Sequence, residues 1–133
     1  MQVIVYLERS DMAQHNEFGK EAEFRAAKFL EKKNYEILKR NWRFLKAEID
    51  IIAKDLTTNQ IVIVEVKARK ANPLVEPELA VTKAKRKLLV QAADHFIISN
   101  EINLETRFDI IGIYKSDSAW IINHIENAFL CFE

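Results

Sequence analysis

The sequence predicts a mixed α/β domain, in which one β-sheet is flanked by helices in the order α-β-β-β-α-β-β. Two segments carry apolar residues at helical spacing, and five short segments are rich in β-branched and aromatic residues. The chain has 133 residues, of which 49% are hydrophobic, and this suffices for one hydrophobic core. We therefore expect a single domain.

The first helix is predicted over residues 16–33, where Phe18, Ala22 and Ala26 recur at helical spacing with charged residues between them. Asn34 is expected to end this helix, because asparagine tolerates the left-handed backbone conformation found just after helices. The segment thus supplies one amphipathic helix at the start of the domain.

The start of the chain has a different pattern from the rest. Residues 1–14 are expected to form an N-terminal extension outside the core, which leaves residues 15–133 as the domain proper. Within the extension, residues 3–7 read VIVYL and are apolar enough to add an edge strand instead. Both alternatives stay open.

Three strands are predicted next, at residues 35–42, 47–53 and 61–68. The third is β-branched at nearly every position, as is typical of a strand that is buried on both faces. Residues 55–60 are polar and turn-like, so the second and third strands are predicted to form a hairpin.

The second half of the domain begins with a predicted loop at residues 70–78. Thr82 is a suitable N-cap for a helix that runs to Ser99. Two more strands follow at residues 107–114 and 120–125, which completes the predicted order of elements.

Composition excludes several classes of function. Gly19 and Gly112 are the two glycines of the chain, so it cannot contain a dinucleotide fingerprint, a phosphate loop or a nucleophile elbow. A single cysteine, Cys131, and three dispersed histidines argue against a disulfide and against zinc chemistry. We expect a cytoplasmic protein with no membrane partner, because no apolar run approaches the ~20 residues that span a bilayer.

The formal net charge is zero, but charge is distributed unevenly along the chain. Residues 20–87 contain 17 basic and 10 acidic groups, whereas residues 88–133 contain two basic and seven acidic groups. A basic region of this kind favours a polyanionic partner. Uneven charge also arises by chance, so the feature alone does not decide the partner.

Acidic residues interrupt the two strands of the predicted hairpin. Because side chains alternate along a strand, Glu48 and Asp50 are expected to share one face while Ile49 and Ile51 take the other. In an antiparallel hairpin the position of the turn fixes which residues face each other, and a turn centred on residues 57–58 places Asp50 opposite Glu65. A turn centred on residues 58–59 sets it opposite a lysine, Lys67, two residues further along.

Either register brings two carboxylates and an ammonium group together. Adjacent carboxylates repel each other, and a divalent cation such as Mg²⁺ removes the conflict by binding one or two of them. Lys67 can then orient the attacking water or the phosphate, as the hydrolysis of a phosphodiester requires. The alternative is a structural salt bridge between Lys67 and Asp50 or Glu65.

Asp50 is followed, after fourteen intervening residues, by Glu65-Val66-Lys67. This pattern resembles the Asp…Glu-x-Lys signature of restriction-endonuclease-like nucleases, and its spacing is similar to that of archaeal Holliday-junction resolvases. The match to the YraN-like uncharacterised protein family 0102 is closer. Six blocks resemble that family in order: the helix from Gly19 to Leu30, Tyr35 to Arg43, Glu48-Ile49-Asp50, Val64 to Arg69, Ala80 to Lys85, and Arg107-Phe108-Asp109. Ala47 departs from it, because the family usually has glycine there.

The resemblance implies a restriction-endonuclease-like fold and a set of site residues. Asp50 and Glu65 would bind Mg²⁺ or Mn²⁺, and Lys67 would be the catalytic lysine. Glu23 would be the helical glutamate that reaches the metal or its water shell. Glu48 is interpreted as a supporting group or a lysine partner.

Basic residues near the two acidic strands and at the start of the second helix are candidate contacts for nucleic-acid phosphates. They are Arg40, Arg43, Arg69, Lys70, Lys83, Lys85, Arg86 and Lys87. We expect a metal-dependent nuclease that acts on DNA rather than RNA, with branched or structured DNA as the candidate substrate. A non-catalytic nucleic-acid-binding or processing factor is the first alternative, and an α/β domain with a structural ion pair is the second. A homodimer is left open.

Overall fold

A five-stranded mixed sheet with a helix on each face forms the described part of the computed structural model, which comprises residues 2–69 and 81–129, with side chains from residue 17 onward. The elements are α1 (Gln2–Lys32), β1 (Tyr35–Phe44), β2 (Ala47–Asp55), β3 (Gln60–Arg69), α2 (Lys83–Ser99), β4 (Thr106–Ser116) and β5 (Ala119–Phe129). Their order confirms the predicted α/β class. The predicted loop at residues 70–78 lies outside the described residues.

The strands lie across the sheet in chain order, from β1 at one edge to β5 at the other. The first three strands form an antiparallel meander, β3 and β4 run parallel, and β5 returns antiparallel to β4. Parallel neighbours require a crossover connection, and α2 lies between β3 and β4 in the chain. The predicted hairpin of β2 and β3 is confirmed.

The sheet separates two hydrophobic clusters, one beneath each helix. Ala26, Ala27 and Leu30 of α1 pack in one cluster, whereas α2 packs in the other. Consecutive residues of β3 divide between them, since Val62 belongs to the α1 cluster and Ile63 to the α2 cluster. This division explains why residues 61–64 of β3 are all apolar and buried.

The helix ends follow the predicted chemistry, except at the start of α1. The Thr82 hydroxyl accepts a hydrogen bond from the Lys85 backbone N–H at 3.2 Å, which confirms the N-cap of α2. Asn34 follows α1 with a left-handed φ of 71°.

The start of α1 differs from the prediction. The helix begins at Gln2 instead of residue 16, so the alternative prediction of an edge strand at residues 3–7 is wrong. The sequence before Gly19 contains no glycine or proline that would interrupt the helix. That residues 1–14 lie outside the core stays a prediction.

A network of buried charged residues joins β4 to β1, β2 and β5. Asp109 is fully buried, and its two oxygens accept hydrogen bonds of 2.9 Å from the Arg107 guanidinium. Arg107 also donates to Asp55 at 3.0 Å and to the Tyr35 hydroxyl at 2.6 Å. The backbone N–H of Asn127 donates to Asp109 at 2.9 Å. Arg107 also donates to Gln60 of β3 at 3.1 Å, so the network connects all five strands through polar groups.

His124 completes this network in a defined tautomer. Its Nδ1 lies 2.8 Å from the Lys33 ammonium, which can only donate, so Nδ1 is an acceptor. The proton then resides on Nε2, which donates to Asp109 Oδ2 at 2.7 Å. Burial by itself would raise the pKa of Asp109, but the hydrogen bonds from His124, Arg107 and Asn127 outweigh burial and lower it.

Candidate functional site

The alternation of side chains is interrupted in β1 and β2 at matching positions, Asn41 and Asp50. Ile51 packs in the α1 cluster, whereas Ile49 packs in the α2 cluster, although residues two apart in a regular strand share a face. The expectation that Ile49 and Ile51 share a face is therefore wrong. Asn41, with a φ of 51°, adopts the left-handed conformation that asparagine tolerates, which accounts for the local change of direction.

Asp50 lies where β2 and β3 begin to separate. The ladder between the two strands runs from Asp55 opposite Gln60 to Ile51 opposite Val64, which confirms the register expected for a turn centred on residues 57–58. Beyond that point the Asp50 carboxylate accepts a hydrogen bond from the Val66 backbone N–H at 2.8 Å. Asp50 therefore projects into the fork between the strands, next to the segment that carries Glu65.

Glu65 is buried and has an unexpected partner. The exposed fraction of Glu65 is 5%. Its Oε1 lies 2.5 Å from the ammonium of Lys85, which belongs to the first turn of α2. Its Oε2 has no hydrogen-bond partner among the described residues. Lys85 was expected to contact phosphates from the helix surface, but the structure places its charged end inside the site.

Lys67 follows Glu65 on the same face of β3 by strand alternation and is half-buried. Its ammonium makes no ion pair with any residue in the described ranges. The salt bridge between Lys67 and Asp50 or Glu65, which was the alternative interpretation of the motif, is therefore absent from this part of the structure.

Glu23 of α1 approaches the same fork from the other helix. Burial raises its pKa, and the charges of Glu48 and Glu65 raise it further, while hydrogen bonding by Asn41 and the charge of Arg40 lower it. Glu23 therefore lies within electrostatic reach of the site, as the resemblance to the family implies, although its place at the edge of the apolar stripe of the helix would by itself favour a solvated side chain.

The pKa of Asp50 is raised to about 7. Burial is the largest cause, and the negative charge of Glu65 is the second; the hydrogen bond from Val66 and the charge of Lys85 oppose them. A carboxylate with a raised pKa is destabilised in its charged form, and a bound cation reverses this effect. The site therefore favours a positive charge next to Asp50.

The acidic residues Asp50 and Glu65 fit a divalent cation as a pair. Within the described residues, no three His, Cys, Asp or Glu side chains are gathered as a metal site, and the contact of Glu23 with the metal or its water shell stays a prediction. Mg²⁺ binds one or two carboxylates and completes its shell with water. The unpartnered Glu65 Oε2 and the raised pKa of Asp50 are both consistent with such an ion.

The expected phosphate-binding residues are dispersed around the site. Lys83 and Lys87 are exposed on α2. Arg43 forms an exposed ion pair with Glu48 at 3.2 Å, so the partner of Glu48 is an arginine. The remaining positions are as follows: Arg40 lies 6.0 Å from the Phe24 ring, Arg69 donates to the carbonyl of Ala68, Arg86 lies 5.9 Å from the Phe129 ring, and Lys70 lies outside the described residues.

Two contributions to the site are not predicted by the sequence. The contact of Lys85, a candidate phosphate contact, with Glu65 is not related to any local pattern, since the two residues are twenty positions apart. Asn41 lies within the motif from Tyr35 to Arg43, and an asparagine within a strand is itself a signal for a left-handed residue. Within the described ranges, no helix is both long enough and apolar enough to cross a membrane.

Comparison with known proteins identifies relatives over nearly the whole chain. The model of the "Uncharacterised protein family UPF0102" matches residues 22–113. A UPF0102 protein of Flavobacterium psychrophilum is 49% identical over 121 residues, which cover 91% of this chain and all of that protein. UPF0102 proteins of Christiangramia forsetii and Phocaeicola vulgatus are each 42% identical and cover 91% and 89% of this chain, and 100% and 96% of their own lengths.

Among solved structures, SfsA of Pyrococcus furiosus in complex with Ca²⁺ is similar at 14% identity. The match covers 84% of this chain and 63% of that chain, with a TM-score of 0.34. A likeness at this level supports no conclusion about activity or ligands.

Proposed function

The chain belongs to the uncharacterised protein family UPF0102, and we propose that it is a nucleic-acid-binding protein that hydrolyses phosphodiester bonds in DNA with a divalent cation. Branched or structured DNA is the proposed substrate, and Mg²⁺ or Mn²⁺ the proposed cofactor. The restriction-endonuclease-like classification is part of this proposal.

One observation carries the proposal: two adjacent acidic side chains lie in a strand fork with incomplete pairing. Asp50 has a pKa raised to about 7, and the buried Oε2 of Glu65 has no hydrogen-bond partner in the described structure. A buried polar atom without a partner costs stability, so such a site is more typical of ligand binding than of structural support.

Asp50 and Glu65 would hold the cation, with Glu23 close to its water shell. The bound ion would neutralise charge on the phosphate and favour ionisation of a water molecule. This requires Asp50 to be deprotonated, and an adjacent positive charge lowers its pKa.

The remaining site residues would act on the substrate. Lys67, which has no ion-pair partner among the described residues, can donate to a phosphate oxygen and stabilise the charge that develops there. The N-terminus of α2 lies next to Glu65, since Lys85 reaches that residue from the first helical turn. Its free N–H groups favour an anion, so it can help position the phosphate backbone.

A second candidate function follows from the position of Lys85. Its ammonium lies 2.5 Å from Glu65 Oε1 and provides the positive charge that a metal would otherwise supply. In this case the protein binds nucleic acid without cutting it and acts as a processing factor. The two functions differ in whether a divalent cation displaces Lys85.

A cleavage screen tests the proposal. Linear, flapped and four-way DNA and the matching RNAs are incubated with protein in Mg²⁺, in Mn²⁺ and in EDTA. Metal-dependent cleavage that Glu65→Gln abolishes supports the nuclease. Binding without cleavage of any substrate supports the processing factor instead.

A second experiment separates binding from chemistry. Lys67→Ala should reduce the cleavage rate about 10²–10³-fold while leaving most of the affinity, because a group that acts in the transition state affects turnover more than binding. Lys83→Ala combined with Lys87→Ala should weaken binding to all duplexes alike and reduce the salt dependence, by about 0.9 in log–log slope per lost contact. If Lys67→Ala removes binding while residual complexes cut at the normal rate, Lys67 is only a phosphate contact.

A further inference from the structure

A groove of about 370 Å³ lies between α1 and β5, on the α1 side of the sheet. Phe24, Arg25, Lys28 and Lys32 line it from the helix, and Trp120 lines it from the strand. None of these residues belongs to the acidic site. The groove is thus a second surface with its own chemistry.

The cations of the groove form a row. Arg25, Lys28 and Lys32 are spaced three or four residues apart, so they lie along one side of α1. Glu21 is the acidic member of the lining. The surface is therefore net positive, in keeping with a ligand that carries repeated negative charges.

Aromatic rings lie among these cations. Phe24 is 50% exposed, and the Lys28 ammonium and the Arg40 guanidinium lie 5.5 Å and 6.0 Å from its ring centre. Arg25 lies 4.6 Å from the centre of the Trp120 ring. An exposed ring between cations offers a flat apolar surface and charge at once, which is the combination that binds unpaired bases together with their phosphates.

The ion pairs that these cations already make are weak competitors. Arg25 pairs with Glu21 at 3.1 Å and Lys28 with Glu31 at 3.4 Å, and all four side chains are exposed. Exposed pairs within one helix contribute little, so phosphate oxygens can replace the glutamates.

We propose that this groove binds a single-stranded segment of nucleic acid, with a base on Phe24 and phosphates along Arg25, Lys28 and Lys32. A duplex offers the phosphates but keeps its base faces stacked, so Phe24 selects for the unpaired strand. Arg40 lies next to Phe24, and Glu23 precedes Phe24 in α1. The bound nucleic-acid strand can therefore continue from Phe24 toward the acidic site. The proposal goes beyond the nuclease function and requires neither metal nor cleavage.

The first test measures the affinity of a fluorescent oligothymidylate of about 12 nucleotides, a length within the range that single-strand-binding modules cover. EDTA is present, so no cleavage occurs. Phe24→Ala should weaken binding about tenfold, the effect expected for the loss of one stacked base. Leu56→Ala is the matched control, because Leu56 has a similar exposure, 46%, and lies in the β2–β3 turn. Equal losses in the two variants would overturn the proposal.

A second test uses the position of Trp120. The chain has two tryptophans, so Trp42→Phe leaves Trp120 as the single reporter. The same oligothymidylate should quench its fluorescence, and Lys28→Ala with Lys32→Ala should shift the titration to higher concentration. A duplex of equal length has no unpaired base to place on Phe24, so it should quench Trp120 less than the oligothymidylate does. Quenching that the duplex reproduces fully would contradict selection for a single strand.

The outcomes are distinct from those that test the nuclease. If Glu65→Gln loses metal-dependent cleavage but binds the oligothymidylate as before, the result supports nucleic-acid binding by the groove independently of the acidic site. If sedimentation shows that Phe24→Ala dissociates a dimer and the oligothymidylate does not bind, the groove is an interface between copies of this chain and the proposal fails.

Discussion

Asp109 and Glu65 are buried carboxylates on adjacent strands of one sheet, but their surroundings differ. The oxygens of Asp109 accept hydrogen bonds from Arg107, His124 and the backbone of Asn127. Glu65 has one partner, Lys85, and its second oxygen has no partner among the described residues. One cluster is saturated with donors, whereas the other leaves an acceptor available.

The difference extends to proton affinity. Hydrogen bonds outweigh burial at Asp109 and lower its pKa, whereas burial and the charge of Glu65 raise the pKa of Asp50 to about 7. In a saturated cluster every buried charge is compensated, and removing one member is strongly destabilising because it leaves a buried charge without its partner. An unsaturated cluster costs stability and is maintained where a ligand supplies the missing charge. Asp109 therefore has the surroundings of a structural residue, whereas a functional role for Asp50 and Glu65 stays a proposal.

The largest effect is expected from breaking the saturated cluster. Asp109→Asn leaves the buried Arg107 guanidinium without its main counter-charge and should reduce the free energy of unfolding by about 3–5 kcal/mol. Urea denaturation measures the loss. The control is Asp117→Asn, since Asp117 lies in an exposed turn with a left-handed φ that asparagine also tolerates. A loss no larger than that of the control would show that the network is dispensable.

A smaller effect of opposite sign is expected at the acidic site. Asp50→Asn removes a destabilised charge next to Glu65 and should increase the free energy of unfolding by about 1–3 kcal/mol at pH 8 in EDTA. Divalent cations should raise the melting temperature of the wild-type protein and of the exposed control Asp94→Asn, but not of Asp50→Asn. Equal stabilisation of all three proteins by metal would contradict the proposed site.

The two clusters should also differ in the pH dependence of stability. The pKa of Asp50 is raised from 3.8 to about 7 in the folded protein, so its protonated form favours folding and this contribution is lost as the pH rises through that window. The pKa of Asp109 is lowered below 3.8, so its contribution is present above that pH and is lost on acidification. Urea denaturation between pH 5 and 8 measures the first effect, because the stability difference between the wild type and Asp50→Asn should grow with pH. A difference independent of pH would contradict it.

The smallest expected effect concerns competition between Lys85 and the metal. Lys85→Met removes the ammonium from Glu65 and should increase the affinity for Mn²⁺ about tenfold, or ~1.4 kcal/mol, in isothermal titration. Lys87→Met, exposed two residues along α2, serves as the control. Weaker metal binding in Lys85→Met would show that Lys85 supports the ion instead of competing with it.

Much of the fold could be predicted because local patterns carry it. Helical spacing located α2, and β-branched runs located the strands, so the order of elements followed directly. The sequence left two registers of the hairpin open, and the ladder selects the one in which Asp50 and Glu65 are neighbours. The observed start of α1 differs from the prediction because residues 3–7 are apolar and residues 3–5 are β-branched, which is typical of a strand; such a run can continue a helix when no glycine or proline interrupts it.

The sequence by itself determined which residue types would meet in the β2–β3 hairpin, since register and side-chain alternation are local properties. Tertiary structure alone decided that Lys85 reaches Glu65, because this contact depends on how α2 crosses between the parallel strands β3 and β4. It also decided that Arg107 gathers partners from Tyr35 and Asp55, on other strands. Hydrophobic periodicity reports the face on which a residue lies, but not the residue of another element that will meet it there.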